Sequence, residues 1–165
     1  ISQPSLVALM TQLLNLKGNE KVLEIGTGRG YQAAILSQLA KEVHTIERLP
    51  KLSKAAQAVC QNLGYKNIHF YIRDGSLGLP KEQPFDAIVV TAGAKEIPEP
   101  LVDQLKLGGR LVIPSGETLR KQSLKVITKT KKGTEIEEIE SVVFVPLIGK
   151  HGWRDDLNSF IDGEK

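Results

Sequence analysis

A single cysteine, Cys60, stands in a chain of 165 residues, so no internal disulfide can form and a covalently stapled secreted scaffold is excluded. Aromatic residues make up only 5% of the chain and the formal net charge is +3. A nucleic-acid surface calls for a basic stripe with interleaved aromatics; none is present, so nucleic acid is not the expected partner. No apolar run is long enough to cross a bilayer and no N-terminal stretch has the layout of a signal peptide. Neither membrane nor export is therefore expected, and cytoplasm is the natural compartment. Repeats and low-complexity tracts are missing too. His44, His69 and His151 belong to no convincing Ser-His-Asp constellation, so each is expected to be structural or exposed, and no metal site is expected. The chain begins at Ile1 rather than methionine, which suggests a processed or truncated product.

What is present suits one soluble globular domain spanning residues 1–165, with 41% hydrophobic and 25% charged residues. Residues 4–16 read as an amphipathic helix, with Leu6, Leu9, Met10, Leu13 and Leu14 on one face, Pro4 in its first turn and Gly18 at its stop. Pro50 opens another, whose Leu52, Ala55, Ala56, Val59, Cys60 and Leu63 follow helical spacing up to Gly64. Cys60 lies on that stripe and reads as a core residue, which argues against cysteine-based methyl transfer to pyrimidines.

Residues 85–92, F-D-A-I-V-V-T-A, form the near-continuous apolar run that a strand covered on both faces requires. A helix over residues 98–105, a Gly108-Gly109 turn and a strand over 110–113 follow. From Ser123 an antiparallel hairpin is expected, with Lys129, Lys131 and Lys132 at its solvated end. Residues 155–161 suggest a short terminal helix. The economical fold is α/β, a mostly parallel twisted sheet with helices on both faces and an antiparallel C-terminal hairpin.

The densest chemistry lies at residues 22–31, V-L-E-I-G-T-G-R-G-Y, where an apolar strand breaks into a glycine loop that opens a helix. Such a loop allows close approach of backbone N–H groups to a ligand. Dinucleotide binders space their glycines G-x-G-x-x-G around a pyrophosphate; the tighter G-x-G-x-G of Gly26, Gly28 and Gly30 points to a cofactor without one. The next strand, residues 42–47, ends in Glu47, a carboxylate suited to both ribose hydroxyls and repulsive to a 2′-phosphate. A third strand, 68–72, leads to Asp74-Gly75, as readily a plain turn as the border of an adenine ring.

Together with I-S-Q-P at residues 1–4 and F-V-P-L-I-G at 144–149, these motifs resemble the protein-L-isoaspartate O-methyltransferases, which the chain matches up to about Trp153. The resemblance implies a Rossmann-like fold that uses S-adenosylmethionine and releases S-adenosylhomocysteine. It also implies a methyl acceptor, the free α-carboxylate of L-isoaspartyl residues in damaged proteins, whose ester collapses to a succinimide. By the same resemblance Ser2 is the active-site serine, and Gly26, Thr27, Gly28 and Gly30 lie beneath the methionine part. Glu47 is the ribose ligand, Asp74 and Gly75 form the adenine edge, and Val145, Pro146 and Leu147 lie beside the substrate. Family members carry a further segment before the I-S-x-P motif, so the N-terminal part of the family domain is expected to be missing.

A carboxylate acceptor with a pKa of about 3.9 is already ionised at neutral pH and needs no general base. Ser2 either orients that carboxylate at a helix entrance or merely caps the helix. Two alternatives stay open: a methyltransferase for another acceptor, and a catalytically silent nucleotide-binding domain. N-methylation is disfavoured, because T-A-G-A stands after the fourth strand in place of N-P-P-Y. Oligomeric state is not legible.

Overall fold

The structure, a computed structural model, describes residues 2–157. Helix α1 spans Pro4–Leu13, three residues short of the expected end. Asn15 takes a left-handed conformation at φ 54°, which an asparagine tolerates and which terminates the helix before Gly18 is reached. Arg110 Nη1 donates to the freed Leu13 carbonyl at 3.1 Å. There follow β1 Lys21–Ile25, α2 Tyr31–Leu39, β2 Glu42–Glu47, α3 Pro50–Asn62 and β3 Ile68–Ile72, then β4 Phe85–Val90, α4 Glu99–Asp103, β5 Leu105–Thr118, β6 Lys121–Thr130 and β7 Gly133–Val142.

The seven strands form one sheet in the order β3-β2-β1-β4-β5-β6-β7. The first five run parallel, and β6 and β7 join antiparallel. Strand order reverses beside β1, which lies between β2 and β4, so the loops leaving these strands open the crevice where an α/β sheet takes its ligands. Alternation divides the core between two faces. Leu23, Ile25, Ile88 and Val90 pack with Leu101 of α4, Leu79 and Leu147, whereas Val22, Val43, Ala87 and Val89 pack with Met10 of α1 and Leu36 of α2.

Other elements also depart from expectation. The helix expected over 98–105 shortens to α4, and β5 is far longer than 110–113, because Leu105 already pairs with Phe85 and the ladder absorbs Gly108 and Gly109 as an irregularity. A Cβ on Gly109 would stand 2.9 Å from the carbonyls of Asp86 and Lys106. In α3 the buried line is Ser53, Ala56 and Cys60, while Leu52, Val59 and Leu63 are exposed. Small residues win that face since the helix approaches the glycine loop, where a Cβ on Gly30 would meet Cys60 Sγ at 3.2 Å and Ala56 Cβ at 3.4 Å. Lys129 is not left at the solvated hairpin end; its Nζ donates to the carbonyls of Asp103 and Leu105, each at 3.0 Å. Of the expected terminal helix, Asp155–Leu157 form a 3-10 turn, and residues 158–161 lie outside the described residues. Among the described residues, no helix is long and apolar enough to cross a membrane.

Candidate active site

A cleft of about 1080 Å³ opens over the ends of β1, β2 and β4. Its floor is the glycine loop, in which Gly26, Gly28 and Gly30 all adopt positive φ (96°, 53° and 84°). A Cβ on Gly26 would lie 2.5 Å from Thr91 Oγ1, so the chain passes there only without a side chain. Gly28 faces open space. Four of the loop's amides are bonded within the protein. Those of Gly26 and Thr27 donate to the Ile46 carbonyl at 2.8 and 3.2 Å, that of Gly30 to the Thr27 carbonyl at 2.8 Å, and that of Gly28 to Glu47 Oε2 at 3.0 Å. The loop thus presents a bare backbone surface rather than an anion nest, in keeping with a ligand that carries no pyrophosphate.

Glu47 closes β2, buried rather than solvated, and its second oxygen accepts from the Leu49 amide at 3.1 Å. Beneath it runs a buried polar chain. Thr45 Oγ1 donates to Glu24 Oε1 at 2.6 Å, so the hydroxyl of Thr27, also 2.6 Å away, must be the donor to Thr45. Glu24 Oε2 has no partner among the described residues. Burial, with the nearby Glu47 charge adding to it and the Thr45 bond opposing it, pushes the Glu24 carboxyl up to about 8. Neither Glu24 nor Thr45 was singled out from sequence; a glutamate inside an apolar strand was the available signal.

Ser2 lines the cleft at the start of α1 and makes no side-chain hydrogen bond among the described residues. Gln3, not Ser2, occupies the N-cap position, and its side chain makes no capping bond. On the opposite wall lie Val145, Pro146 and Leu147. The Gly93 amide donates to the Val145 carbonyl at 2.7 Å, and the Gly93 carbonyl accepts from Leu147 N–H at 2.8 Å and Trp153 Nε1–H at 3.0 Å. Gln122 braces the same segment through both the N–H and the carbonyl of Phe144, each at 3.1 Å. Trp153 and Gln122 are supports that sequence reasoning missed, since nothing in their local pattern marks a partner sixty or twenty-two positions away.

Gly75 stands on the cleft wall against Ile25 and Ile46. Asp74, by contrast, points to other work: it accepts from Ser76 N–H at 2.9 Å, Ser76 Oγ–H at 2.7 Å and Lys150 N–H at 2.8 Å, tying the post-β3 turn to the C-terminal loop. Cys60 is buried, and burial pushes its thiol further up, which removes it as a nucleophile.

A bare glycine loop, a buried carboxylate ending the next strand and this strand order together define the Rossmann-like methyltransferases that depend on S-adenosylmethionine. The profile of the protein-L-isoaspartate(D-aspartate) O-methyltransferase family matches residues 1–152, and the chain belongs to that family of enzymes. It is 55% identical over 153 residues to protein-L-isoaspartate O-methyltransferase 1 of Syntrophobacter fumaroxidans, covering 93% of this chain and 71% of that protein. The Pyrococcus horikoshii protein-L-isoaspartate O-methyltransferase is 47% identical over 157 residues, covering 94% and 71%. A solved protein-L-isoaspartate O-methyltransferase superposes with a TM-score of 0.86 at 34% identity, over 92% of this chain and 49% of that one. A second, from Plasmodium falciparum and in complex with S-adenosyl-L-homocysteine, gives 0.74 at 29% identity over 90% and 75%.

Proposed function

We propose that this chain, acting as one domain, transfers a methyl group from S-adenosylmethionine to the free α-carboxylate of L-isoaspartyl residues in damaged proteins, the ester then closing to a succinimide. The observation that carries this reading is the convergence of Ser2, the glycine loop and Val145–Pro146–Leu147 on one cleft. The residues fit the cofactor: open space above Gly28 leaves room for its methionine part, and a buried carboxylate stands at the end of β2. When bound, the cofactor supplies an electrophilic methyl group on a sulfonium.

Gly26, Thr27 and Gly28 provide the close floor, Gly30 packs behind them against Ala56 and Cys60, and Glu47 keeps lone pairs for the ribose hydroxyls beyond those used by Gly28 and Leu49. Gly75 borders the adenine, and Asp74 holds that turn in place. Ser2 brings a hydroxyl to the cleft at the helix entrance, where it orients the acceptor carboxylate or its neighbouring backbone. Exposed Val145 and half-buried Pro146, with the Leu147 side chain behind them, supply the apolar wall along which the damaged peptide lies. No side chain has to remove a proton, because the acceptor is already an anion. Rate then comes from in-line positioning and exclusion of water, of which positioning alone supplies about 7–11 kcal/mol in well-oriented systems. The working compartment in this reading is the cytoplasm.

The test is incubation with methyl-labelled S-adenosylmethionine and matched peptides carrying L-isoaspartate or L-aspartate. Label is expected in the first alone; equal labelling of both, or of neither, overturns the proposal.

A further inference from the structure

At the sheet edge remote from the cleft, β2 begins with Glu42 and His44 two residues apart, and His69 of β3 is the register partner of His44. Strand alternation puts all three on one face. The rise of β2 separates Glu42 from the cleft carboxylate Glu47 by about 16 Å. His44 is buried, with Nε2 3.1 Å from Glu42 Oε1, and its ring stacks on that of His69 with centroids 4.7 Å apart. One ligand atom from each of the three lies within 4.8 Å of the others. The second nitrogen of His44 is held as well: Nδ1 lies 2.9 Å from the Tyr71 hydroxyl.

We propose that Glu42, His44 and His69 form a binding site for a divalent ion of the Zn²⁺ class, clamping the edge strand β3 to β2. Two imidazole nitrogens and one carboxylate oxygen are a donor set that zinc accepts, with a fourth position left to water. Magnesium and calcium prefer more oxygens and are poorly served. Tetrahedral zinc sets its donors about 3.4 Å apart, so the Glu42–His44 pair is already close to ligating geometry. Exposed His69 has the freedom to swing in. Tyr71 plays the outer-sphere part, fixing the His44 ring and leaving Nε2 aimed at the ion. The neighbouring cation, Lys21, is drawn off by Glu82 at 3.8 Å and by the Phe85 ring, whose centroid is 5.5 Å from its ammonium.

Calorimetric titration of the chelator-treated chain with Zn²⁺ tests this. One ion per chain is expected, weakened at least tenfold by His69→Ala and by Glu42→Gln and unchanged by His151→Ala, with no heat from Mg²⁺ at the same concentration. Circular dichroism establishes that His69→Ala, a change at an exposed position, keeps the fold. Affinity for S-adenosylhomocysteine is expected to be the same with and without Zn²⁺. Absence of Zn²⁺ binding, binding that survives both ligand substitutions, or binding lost in His151→Ala overturns the proposal. None of these outcomes bears on methyl transfer, so the two readings fail separately.

Discussion

Glu24 shows how one residue makes the loop's support sensitive to pH. Its carboxyl is raised from 4.5 to about 8 in the folded chain, so between those values the native state holds a proton that the unfolded state has lost. The stabilisation linked to that proton is complete below pH 4.5 and is lost as pH rises towards 8, at up to about 1.4 kcal/mol per pH unit. Glu24→Gln keeps the neutral form and removes the slope. Urea denaturation at pH 5 and pH 8 should show the variant gaining on the parent at the higher pH; parallel losses would mean that Glu24 does not titrate in this range. Ser2 makes a contrasting case. With no capping bond to lose, Ser2→Ala is expected to leave the midpoint of unfolding unchanged while lowering turnover at least tenfold, as measured with saturating cofactor.

At the scale of elements, the parallel strands and the glycine loop were legible because burial on both faces and positive φ leave marks in local sequence: the apolar run of residues 85–92, and Gly26, Gly28 and Gly30. The extent of β5 was not, since a ladder that accommodates Gly108 and Gly109 depends on β4 beside it. The rotation of α3 was hidden for a related reason: apolar spacing offers a wide arc, and the close approach to Gly30 selects its small residues. Among the site residues, those supplied by the loop and by β2 could be named from pattern, whereas the distant braces Gln122 and Trp153 are known only from the fold. Trp153→Phe removes the indole donor to Gly93 and leaves the Leu147 amide in place. The variant is expected to raise KM for an isoaspartyl peptide several-fold and to cost about 1 kcal/mol of stability. Calorimetry should find its affinity for S-adenosylhomocysteine unchanged.

Across the whole molecule, the cleft sits where the strand order turns about β1, so a ligand seated there touches elements on both sides of the sheet's centre. Its binding should therefore stabilise the fold as a unit. S-adenosylhomocysteine at a hundred times its Kd adds about 2.7 kcal/mol. For a chain of this size that corresponds to an increase in Tm of about 5–10 °C by calorimetry. NAD at the same concentration should give no shift, because its pyrophosphate meets a loop whose Gly26, Thr27, Gly28 and Gly30 amides are already bonded.

Those internally bonded amides alter how damage to the loop should be understood. Its conformation is secured by the protein's own carbonyls and by Glu47, so the entropy of ordering it is spent during folding and not at the encounter with a ligand. A lesion at Gly30, which faces α3 and not the cleft, should accordingly reveal itself as a shortage of folded enzyme, with the surviving molecules binding almost normally.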